Sequence, residues 1–372
     1  MHLSESLRKR YTQDDNISAR EAQRAAEFIA WGPAVFQTAR LMLKYGILEM
    51  LRNSDGGMTR RDIVSRTALS DYAVKCLLEA SLSIGLVLVD DKTDRFTLSK
   101  TGWFLINDPA VRVNIDFNND VNYEGWFHLD ESFKEGRPAG LRHFGPWPTL
   151  YAGLSKLPPR VLESWLAFDH FYSDSAFDDA LRIVFEGRRV RTLYDVGGNT
   201  GKWALRCVGH DDAVKVVVLD LPQQIEMMRQ NISGKQGAGR ISGYGIDLLD
   251  SGSRFPESDS GEVDAIWMSQ FLDCFSMPQI TDILKKARSV MSADTRLFIM
   301  ETLWDRQKYE PAALCLTLTS LYFTAMANGN SKMYNTEDIE ACISDAGLEI
   351  EKIYDHLGQG HSILVCKAVE NV

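Results

Sequence analysis

The sequence predicts an α/β protein with a mostly parallel, doubly wound sheet in its carboxyl-terminal half and a helical, winged-helix domain in its amino-terminal half. Two observations carry this prediction. Residues 59–99 show the signals of two short helices and two short strands, and from residue 191 onward apolar, strand-like runs alternate with helical stretches. A chain of 372 residues is also longer than one ordinary domain needs. The strand-like runs are RTLYDV, KVVVLDL, ISGYGIDLL, VDAIWMS, RLFIMETLW, LEIEKIYDH and HSILVCKA.

The amino-terminal half carries helix and hairpin signals in sequence order. Apolar residues recur at helical spacing between residues 26 and 51, with the tripeptide WGP at 31–33 as the break. Thr59 and Ser70 can each cap a helix, and the strands LVLVD and RFTLS follow, joined by the polar turn DKTD. Two helices and a hairpin form a winged-helix pattern.

A winged helix can bind DNA, or it can serve as a packing or dimerisation module. A recognition helix needs several donors for phosphates and base edges, but the second helix offers only Lys75, beside Asp71 and Glu79. The sequence therefore favours a dimerisation module. The apolar stripes of residues 26–51 agree with a homodimer.

Composition and charge narrow the possible functions. The formal net charge of −10 argues against general binding to nucleic acids or anionic membranes. No apolar run is long enough to span a bilayer, and the polar N-terminus lacks the apolar core of a secretory signal. The six cysteines are scattered without a CxxC pair, which predicts reduced thiols, no metal site and a cytoplasmic protein.

The segment between the two halves is rich in aromatic residues, glycine and proline. Its run YEGWFHLDESFKEGRPAGLRHFGPWPTLY either walls an aromatic pocket or packs the two domains together, and one or two helices follow it. We therefore predict a helical dimerisation domain at 1–105, a helical linker and pocket segment at 106–180, and an α/β catalytic domain at 181–372.

The sharpest local signal is a glycine-rich turn directly after the first strand of the α/β half. Gly197, Gly198 and Gly201 allow a backbone to approach a ligand closely, and Asn199 tolerates a left-handed conformation better than most side chains. Asp195 precedes the turn and Asp220 ends the next strand, where it can accept hydrogen bonds from ribose hydroxyls. Turn and strand-end acid together indicate a nucleoside-containing cofactor.

The spacing of this turn is D-x-G-G-N-x-G, whereas a dinucleotide site normally shows G-x-G-x-x-G to seat a pyrophosphate. The spacing therefore favours a site for an amino acid and a ribose. The motifs YDVGGNTGKWA, VVVLDLPQQIEMM, GYGIDLLD and FIMETLW resemble, in order, those of the two-domain small-molecule O-methyltransferases that use S-adenosylmethionine, of the plant caffeate type and the bacterial polyketide-tailoring type. The resemblance runs from about Ala26 to Ala368 and implies a Rossmann-like class I methyltransferase domain, a dimerisation domain and S-adenosyl-L-methionine as cofactor.

Carried over by position, the resemblance assigns roles around this cofactor. The acid and the first glycine of the turn face the methionyl end, Asp220 binds the ribose, and Leu221 lies against the adenine. Asp247 and Leu248 match the pair that flanks the adenine. The predicted cofactor-binding residues are Asp195, Gly197, Gly198, Asn199, Gly201, Asp220, Leu221, Asp247, Leu248, Ser269 and Gln270.

The catalytic motif departs from that family. There the corresponding strand ends in His-Asp-Trp, and the histidine is the general base; aligned here, the triplet is Leu272, Asp273 and Cys274. Of the two glutamates that hold the histidine, one matches Glu301, and a Met-Tyr pair at 333–334 stands at the other. The resemblance thus implies that the usual catalytic histidine is replaced.

Methyl transfer can proceed without that histidine if another group removes the proton or if the acceptor is already ionised. A general base is typically worth 10²–10⁴-fold, which matters for a phenol with a pKa near 10 and much less for an acidic enol. His170 is slightly favoured as the replacement, and a structural role is favoured for Asp273. The predicted catalytic residues are His170, Asp273 and Glu301; the further candidates for the base are Cys274, His143 and His361.

The leading hypothesis is an S-adenosylmethionine-dependent methyltransferase that acts on a hydroxyl of a small aromatic or polyketide-like molecule. The alternatives are methylation at a phenolic ring carbon, a family member repurposed to a non-methylating reaction, and a winged-helix DNA-binding regulator.

Overall fold

The structure, a computed structural model, describes residues 3–12, 16–257 and 263–369 and divides the chain into two compact units. One unit takes the described residues within Asp14–Val121 together with Glu163–Phe168, and the other takes the remaining described residues. The predicted boundaries at residues 105 and 180 stay predictions, because the division by contacts passes through a single helix at Pro159–Ser173.

The first elements in chain order belong to the smaller unit, except for α1. The helices are α1 (Glu5–Tyr11), α2 (Ala19–Ala30), α3 (Gly32–Lys44), α4 (Ile47–Arg52), α5 (Arg60–Arg66), α6 (Asp71–Ser83), α7 (Lys100–Asn107) and α8 (Pro109–Phe117), and the strands are β1 (Val87–Asp90) and β2 (Arg95–Leu98).

Local sequence chemistry explains the boundaries of the two helices and the hairpin in this unit. The Thr59 hydroxyl accepts the Asp62 N–H and the Asp62 carboxylate accepts the Thr59 N–H, which closes a capping box before α5. Ser70 caps α6 by accepting the N–H of Ala73, and β1 and β2 pair antiparallel. The predicted pattern of two helices and a hairpin is confirmed. Its apolar core includes Ile47, Leu48, Ile63, Val74 and Leu78.

The larger unit is built on a seven-stranded sheet with the order β5-β4-β3-β6-β7-β9-β8. Strands β3 to β7 are parallel, and β9 runs antiparallel between β7 and β8. The chain winds outward from β3 in one direction and then returns to β6 on the other side, so the predicted doubly wound sheet is confirmed. The strands are β3 (Thr192–Val196), β4 (Lys215–Asp220), β5 (Ile241–Gly245), β6 (Ala265–Ser269), β7 (Arg296–Glu301), β8 (Leu348–Leu357) and β9 (His361–Ala368).

Both faces of the central strands are buried, which is why those strands are apolar at nearly every position. Side chains alternate between the faces: Ile266 and Met268 of β6 belong to one apolar cluster, and Trp267 belongs to the other. The covering and connecting helices are α9 (Leu129–Glu135), α10 (Leu150–Gly153), α11 (Pro159–Ser173), α12 (Phe177–Phe185), α13 (Lys202–His210), α14 (Pro222–Ile232), α15 (Met277–Arg288), α16 (Glu310–Tyr322) and α17 (Thr336–Asp345).

Short helical turns complete the backbone. Turns of 3₁₀ type lie at Gly125–His128, Ala139–His143, Leu154–Lys156, Asp174–Ala176, Ala238–Arg240, Leu272–Cys274 and Trp304–Arg306, and π-helical turns lie at Asn118–Asn122 and Phe323–Ala327. Across the described residues, no helix combines the length and the apolar character needed to cross a membrane.

One buried histidine makes the stability of the larger unit depend on pH. His361 opens β9 with no exposed surface, and neither ring nitrogen has a hydrogen-bond partner in the described part of the chain. Burial lowers its pKa from 6.5 to about 4, which outweighs the opposing effect of the Leu357 backbone. Between these two values the unfolded chain binds more protons than the folded one, so stability falls as the pH falls through this window.

We predict that the His361→Leu variant loses less stability than the native protein when the pH is lowered from 7 to 5. The native protein should lose about 2 kcal/mol more of its free energy of unfolding over this range, since only its unfolded state gains the imidazole proton. Urea unfolding at both pH values measures the difference. An identical pH dependence for the two proteins would show that the imidazole ionises freely in the folded state.

Candidate active site

Four neighbouring parallel strands end at the same edge of the sheet, and the predicted site residues lie there. Val196 is the last residue of β3, Asp220 of β4, Ser269 of β6 and Glu301 of β7. Because β3 and β6 are neighbours in the sheet but the chain leaves them in opposite directions, this edge includes the switch point where open α/β sheets bind ligands.

The glycine-rich turn follows β3 in a conformation that requires glycine. Gly197 has φ +72°, Asn199 +48° and Gly201 +75°, all in the left-handed region. The Gly197 N–H donates to the Leu219 carbonyl at 2.8 Å, which ties the turn to β4. A Cβ atom at Gly197 would lie 2.3 Å from the ring of Phe271, so the turn also packs tightly against the segment that follows β6.

The Asp220 carboxylate clamps this turn from the neighbouring strand. Its Oδ2 accepts the N–H of Asn199 at 2.9 Å and its Oδ1 accepts the N–H of Leu221 at 2.7 Å. Burial raises the pKa of Asp220, and these two N–H donors oppose that shift. A carboxylate oxygen has two lone pairs, so one remains on each oxygen for a ligand hydroxyl. Leu221, directly beside it, is 37% exposed and offers an apolar surface.

Asp195 lies beneath the turn and is almost completely buried. Its Oδ2 has no hydrogen-bond partner in the described part of the chain, and a Cβ atom at Gly198 would approach this oxygen to 2.5 Å. Burial, followed by the charge of Asp220, raises the pKa of Asp195 to about 8. The carboxyl group is therefore protonated at neutral pH unless a positively charged group comes close.

The other predicted cofactor residues occupy two further loops. Asp247 is exposed and its Oδ1 accepts the Leu249 N–H at 2.9 Å, whereas the Leu248 side chain is buried in the apolar core. Ser269 is partly buried at the end of β6. Gln270 follows with φ +44°, and its buried Oε1 has no hydrogen-bond partner within the described ranges.

A buried carboxyl pair lies beyond the ends of β6 and β7. Glu301 Oε1 accepts the N–H of Phe271 at 3.1 Å and the N–H of Leu272 at 2.9 Å. Asp273, on the 3₁₀ turn that follows, is 8% exposed, and its Oδ1 has no hydrogen-bond partner among the residues that the structure describes. Both acids line a narrow space with no room for a water molecule. The other lining residues are Thr302, Leu303, Met333, Tyr334 and Ile339.

The acidic groups in this space influence one another. Burial is the main cause that raises the pKa of Asp273 to about 7; the charge of Asp169 adds to it, and the Cys274 thiol opposes it. Burial, followed by the charge of Asp273, raises the pKa of Glu301 well above its ordinary value. Burial also raises the pKa of Cys274, whose Sγ accepts the Tyr151 hydroxyl at 3.2 Å. Cys274 is thus a neutral thiol, which argues against it as the base.

The three candidate histidines lie in different surroundings. His170 Nδ1 is 3.2 Å from the ammonium group of Lys202, at the start of α13. His143 Nε2 lies 2.8 Å from Glu124 Oε2, and both side chains are largely exposed. His361 is buried at the start of β9. The contacts described for these histidines do not join them to Asp273 or Glu301.

Three side chains that were not among the predicted site residues hold the segment carrying Asp273. The Tyr151 hydroxyl bonds the Cys274 thiol, Asn328 Nδ2 donates to the Cys274 carbonyl at 2.7 Å, and the Tyr334 hydroxyl donates to the Phe275 carbonyl at 2.7 Å. Each contact joins residues at least 54 positions apart, so no local spacing could have predicted it.

Comparison with known proteins places the chain in a family. A Dimerisation2-like domain matches residues 23–96 and an O-methyltransferase domain matches residues 167–349, together more than two thirds of the chain. The protein is a methyltransferase, and it belongs to the two-domain small-molecule O-methyltransferases that the sequence motifs resemble. The replacement of the family's histidine stays a prediction.

Individual relatives are distant. O-demethylpuromycin-O-methyltransferase of Streptomyces alboniger is 24% identical over 74% of this chain and 71% of its own length. Bacteriochlorophyllide d C-20 methyltransferase of Chlorobaculum tepidum is 25% identical over 42% of this chain and 44% of its own length. The solved structure of the O-methyltransferase NcsB1 from neocarzinostatin biosynthesis, in complex with S-adenosylmethionine and 2-hydroxy-5-methyl naphthoic acid, is 16% identical with a TM-score of 0.63. It matches 90% of this chain and 96% of its own, and it shows the shared fold.

S-adenosylmethionine is the cofactor of this family, and the residues at the sheet edge fit it. Asp220 keeps a free lone pair on each oxygen, as two ribose hydroxyls require, and the orphaned Asp195 oxygen lies under the turn. The described residues contain no group of three or more His, Cys, Asp or Glu side chains arranged for a metal ion.

We predict that Asp220→Ala weakens the binding of S-adenosylmethionine by about 1.5–3 kcal/mol, because charged hydrogen bonds to the ribose are lost. This corresponds to roughly a 10- to 100-fold rise in Kd, which calorimetric titration measures directly.

Asp212→Ala is the matched control, since Asp212 is fully exposed and precedes the opposite end of β4. It should leave the affinity unchanged. Because Asp220 also holds the turn, the melting temperature of both variants must be compared with that of the native protein. Native-like cofactor affinity in a folded Asp220→Ala variant would place the ribose elsewhere.

Proposed function

We propose that this protein transfers the methyl group of S-adenosylmethionine to a hydroxyl group of a small aromatic or polyketide-like acceptor. One observation carries the proposal: the glycine-rich turn with its Asp220 clamp lies on the same sheet edge as a buried acidic pocket beyond β6 and β7. The turn suits a nucleoside-containing cofactor, and the acidic pocket suits an acceptor hydroxyl that must lose a proton.

The cofactor supplies an activated methyl group on a sulfonium, so the residues of this chain have to orient the acceptor and exclude water. In this proposal Asp220 holds the ribose, Leu221 covers the adenine, and Asp195 under the turn faces the methionyl end. Asp195 gains its negative charge when the methionyl ammonium approaches, because an adjacent cation lowers the pKa of a carboxyl group. The predicted roles of Asp247, Leu248, Ser269 and Gln270 stay predictions.

Aromatic side chains around the acidic pocket support an aromatic acceptor. The rings of Phe271 and Phe275 meet edge to face with 4.8 Å between their centroids, and the partly buried Tyr151 packs against Cys274. Flat rings pack well against rings. The NcsB1 structure contains an aromatic molecule, 2-hydroxy-5-methyl naphthoic acid, together with S-adenosylmethionine. By analogy, we propose an aromatic acceptor for this chain.

Methylation at carbon is the second candidate function. A distant relative, 25% identical over 42% of this chain, is named bacteriochlorophyllide d C-20 methyltransferase, and that name gives a carbon as the methylated position. An ortho or para ring carbon of a phenolate is nucleophilic, and the same acidic pocket would have to deprotonate the phenol first.

We expect native protein to transfer a deuterated methyl group from S-adenosylmethionine to the oxygen of phenols, enols or hydroxyquinones. Mass spectrometry detects the transfer, and fragmentation locates the label. Label on a ring carbon would replace the O-methyl proposal with the second candidate. Bound cofactor without transfer to any acceptor in the panel would contradict both.

Two features of the smaller unit favour a homodimer. It contains the Dimerisation2-like domain, and its helix α2 has no buried residue although apolar side chains line it. Ile29 and Trp31 are 79% and 66% exposed, and large apolar side chains that lie together on the surface often mark a protein–protein interface. We propose that α2 packs against a second copy of the chain. A cytoplasmic location stays a prediction, with which the six free cysteines agree.

We predict that the native protein sediments as a dimer at micromolar concentration and that Ile29→Glu shifts it to a monomer, since a charge would be buried in the interface. Tyr72→Glu is the matched control: Tyr72 is equally exposed but lies on α6. A native monomer, or the same shift in both variants, would contradict the assignment of α2 as the interface.

A further inference from the structure

We propose that Asp273 accepts the proton of the acceptor hydroxyl and that Glu301 is the residue that positions Asp273. This inference rests on the proposed O-methyl transfer and deepens it. It assigns to a carboxylate the task that the sequence comparison left to a histidine.

One carboxyl oxygen of Asp273 is unsatisfied. The residue is more than nine-tenths buried, and its Oδ1 accepts no hydrogen bond from any described residue, whereas nearly all buried polar atoms in folded proteins have a partner. An orphaned carboxylate oxygen is unfavourable for folding and calls for an explanation. The hydroxyl group of a bound acceptor would donate a hydrogen bond to this oxygen and so supply the missing partner. The space that Asp273 lines is too small for water, so it has to open or rearrange when an acceptor binds.

Hydrogen bonds to the neighbouring backbone fix Asp273 in place. Glu301 Oε1 accepts the N–H groups of Phe271 and Leu272, the two residues immediately before Asp273. Behind it, Asn328 binds the Cys274 carbonyl and Tyr334 binds the Phe275 carbonyl. The backbone is therefore held on both sides of Asp273, while one of its two carboxyl oxygens, Oδ1, has no hydrogen-bond partner among the described residues, as expected for a group that reacts.

The protonation states of Asp273 and Glu301 depend on the acidic groups around them. The groups that face Asp273 are Asp169 on α11, Glu301 at the end of β7, its neighbour Cys274, Tyr151 on α10 and Tyr334. Burial, followed by the negative neighbour Asp169, raises the pKa of Asp273 to about 7, and burial with the charge of Asp273 raises the pKa of Glu301 well above its ordinary value. A pKa near neutrality lets Asp273 take up and release a proton at the working pH, which is the match that general-base catalysis needs.

The step balances without another reactant. The O–H bond of the acceptor breaks and its proton goes to Asp273 Oδ1. The acceptor oxygen uses the freed electron pair to bond the methyl carbon, and the electrons of the broken carbon–sulfur bond stay on sulfur. Asp273 later returns the proton to solvent, so the net products are the methyl ether, the neutral thioether and one proton.

The test compares Asp273→Asn with the native protein on two acceptors of similar size, 2-naphthol, which is weakly acidic, and 2-hydroxy-1,4-naphthoquinone, which ionises by itself. The variant should lose roughly 10²–10⁴-fold in kcat on the naphthol and no more than a few-fold on the quinone. Native kcat/KM on the naphthol should rise through about pH 7, and this rise should vanish in the variant. Asp273→Glu should recover part of the naphthol rate.

A structural role would give a different pattern. Equal losses on both acceptors, or no loss on either, would overturn the assignment of Asp273 as the base. His170→Asn, measured in parallel, would take over the role if it alone lost activity selectively on the naphthol. If native protein with bound cofactor methylated neither acceptor, the proposed acceptor class would fail, and this inference would fail with it.

Stability provides a second readout that does not depend on activity. Because the folded-state pKa of Asp273 lies above its unfolded value, its contribution to stability is lost as the pH rises. Asp273→Asn should therefore melt at a higher temperature than the native protein at pH 8, with a smaller difference at pH 5. A lower melting temperature of the variant at pH 8 would identify Asp273 as a structural residue.

Discussion

The carboxyl group of Glu301 connects the end of β7 to the segment that leaves β6, and the geometry of the acceptor side depends on it. Parallel pairing of the two strands brings the group within reach of two backbone N–H donors, which a turn of this kind would otherwise leave unpaired. The same segment places the Phe271 ring against Gly197 of the cofactor turn. One buried acid thus sets the position of the candidate base and supports the wall of the cofactor site.

Both halves of the sheet edge follow the same plan of two carboxyl groups with different tasks. Asp220 and Glu301 each accept two backbone N–H groups and thereby fix a turn. Asp195 and Asp273 each keep one buried oxygen without a hydrogen-bond partner among the described residues, and burial raises the pKa of both. These two acids can therefore offer a whole oxygen to a ligand, whereas Asp220 can bind one only through the second lone pair of oxygens that already hold the turn.

The fold follows from local patterns, which is why the sequence predicts so much of it. The caps at Thr59 and Ser70 and the strand that ends at Asp220 depend on residues within a few positions of one another. The base does not. Position-by-position comparison placed Leu272 where a histidine was expected and favoured His170, yet His170 lies beside Lys202, and the turn with Asp273 is held by Tyr151 and Asn328 from distant parts of the chain. Such contacts arise only when the chain is folded.

The acidity of the pocket also bears on which acceptors suit it. An acceptor that enters as an anion would meet Asp273 and Asp169 at close range in a low-dielectric space, where repulsion between like charges is strong. A neutral hydroxyl avoids this repulsion and can donate to the unpaired oxygen. Once its proton has moved to Asp273, the carboxyl group is neutral and no longer repels the negative charge on the oxygen. The pocket therefore favours weakly acidic hydroxyls that lose their proton inside the site, for which a base contributes most.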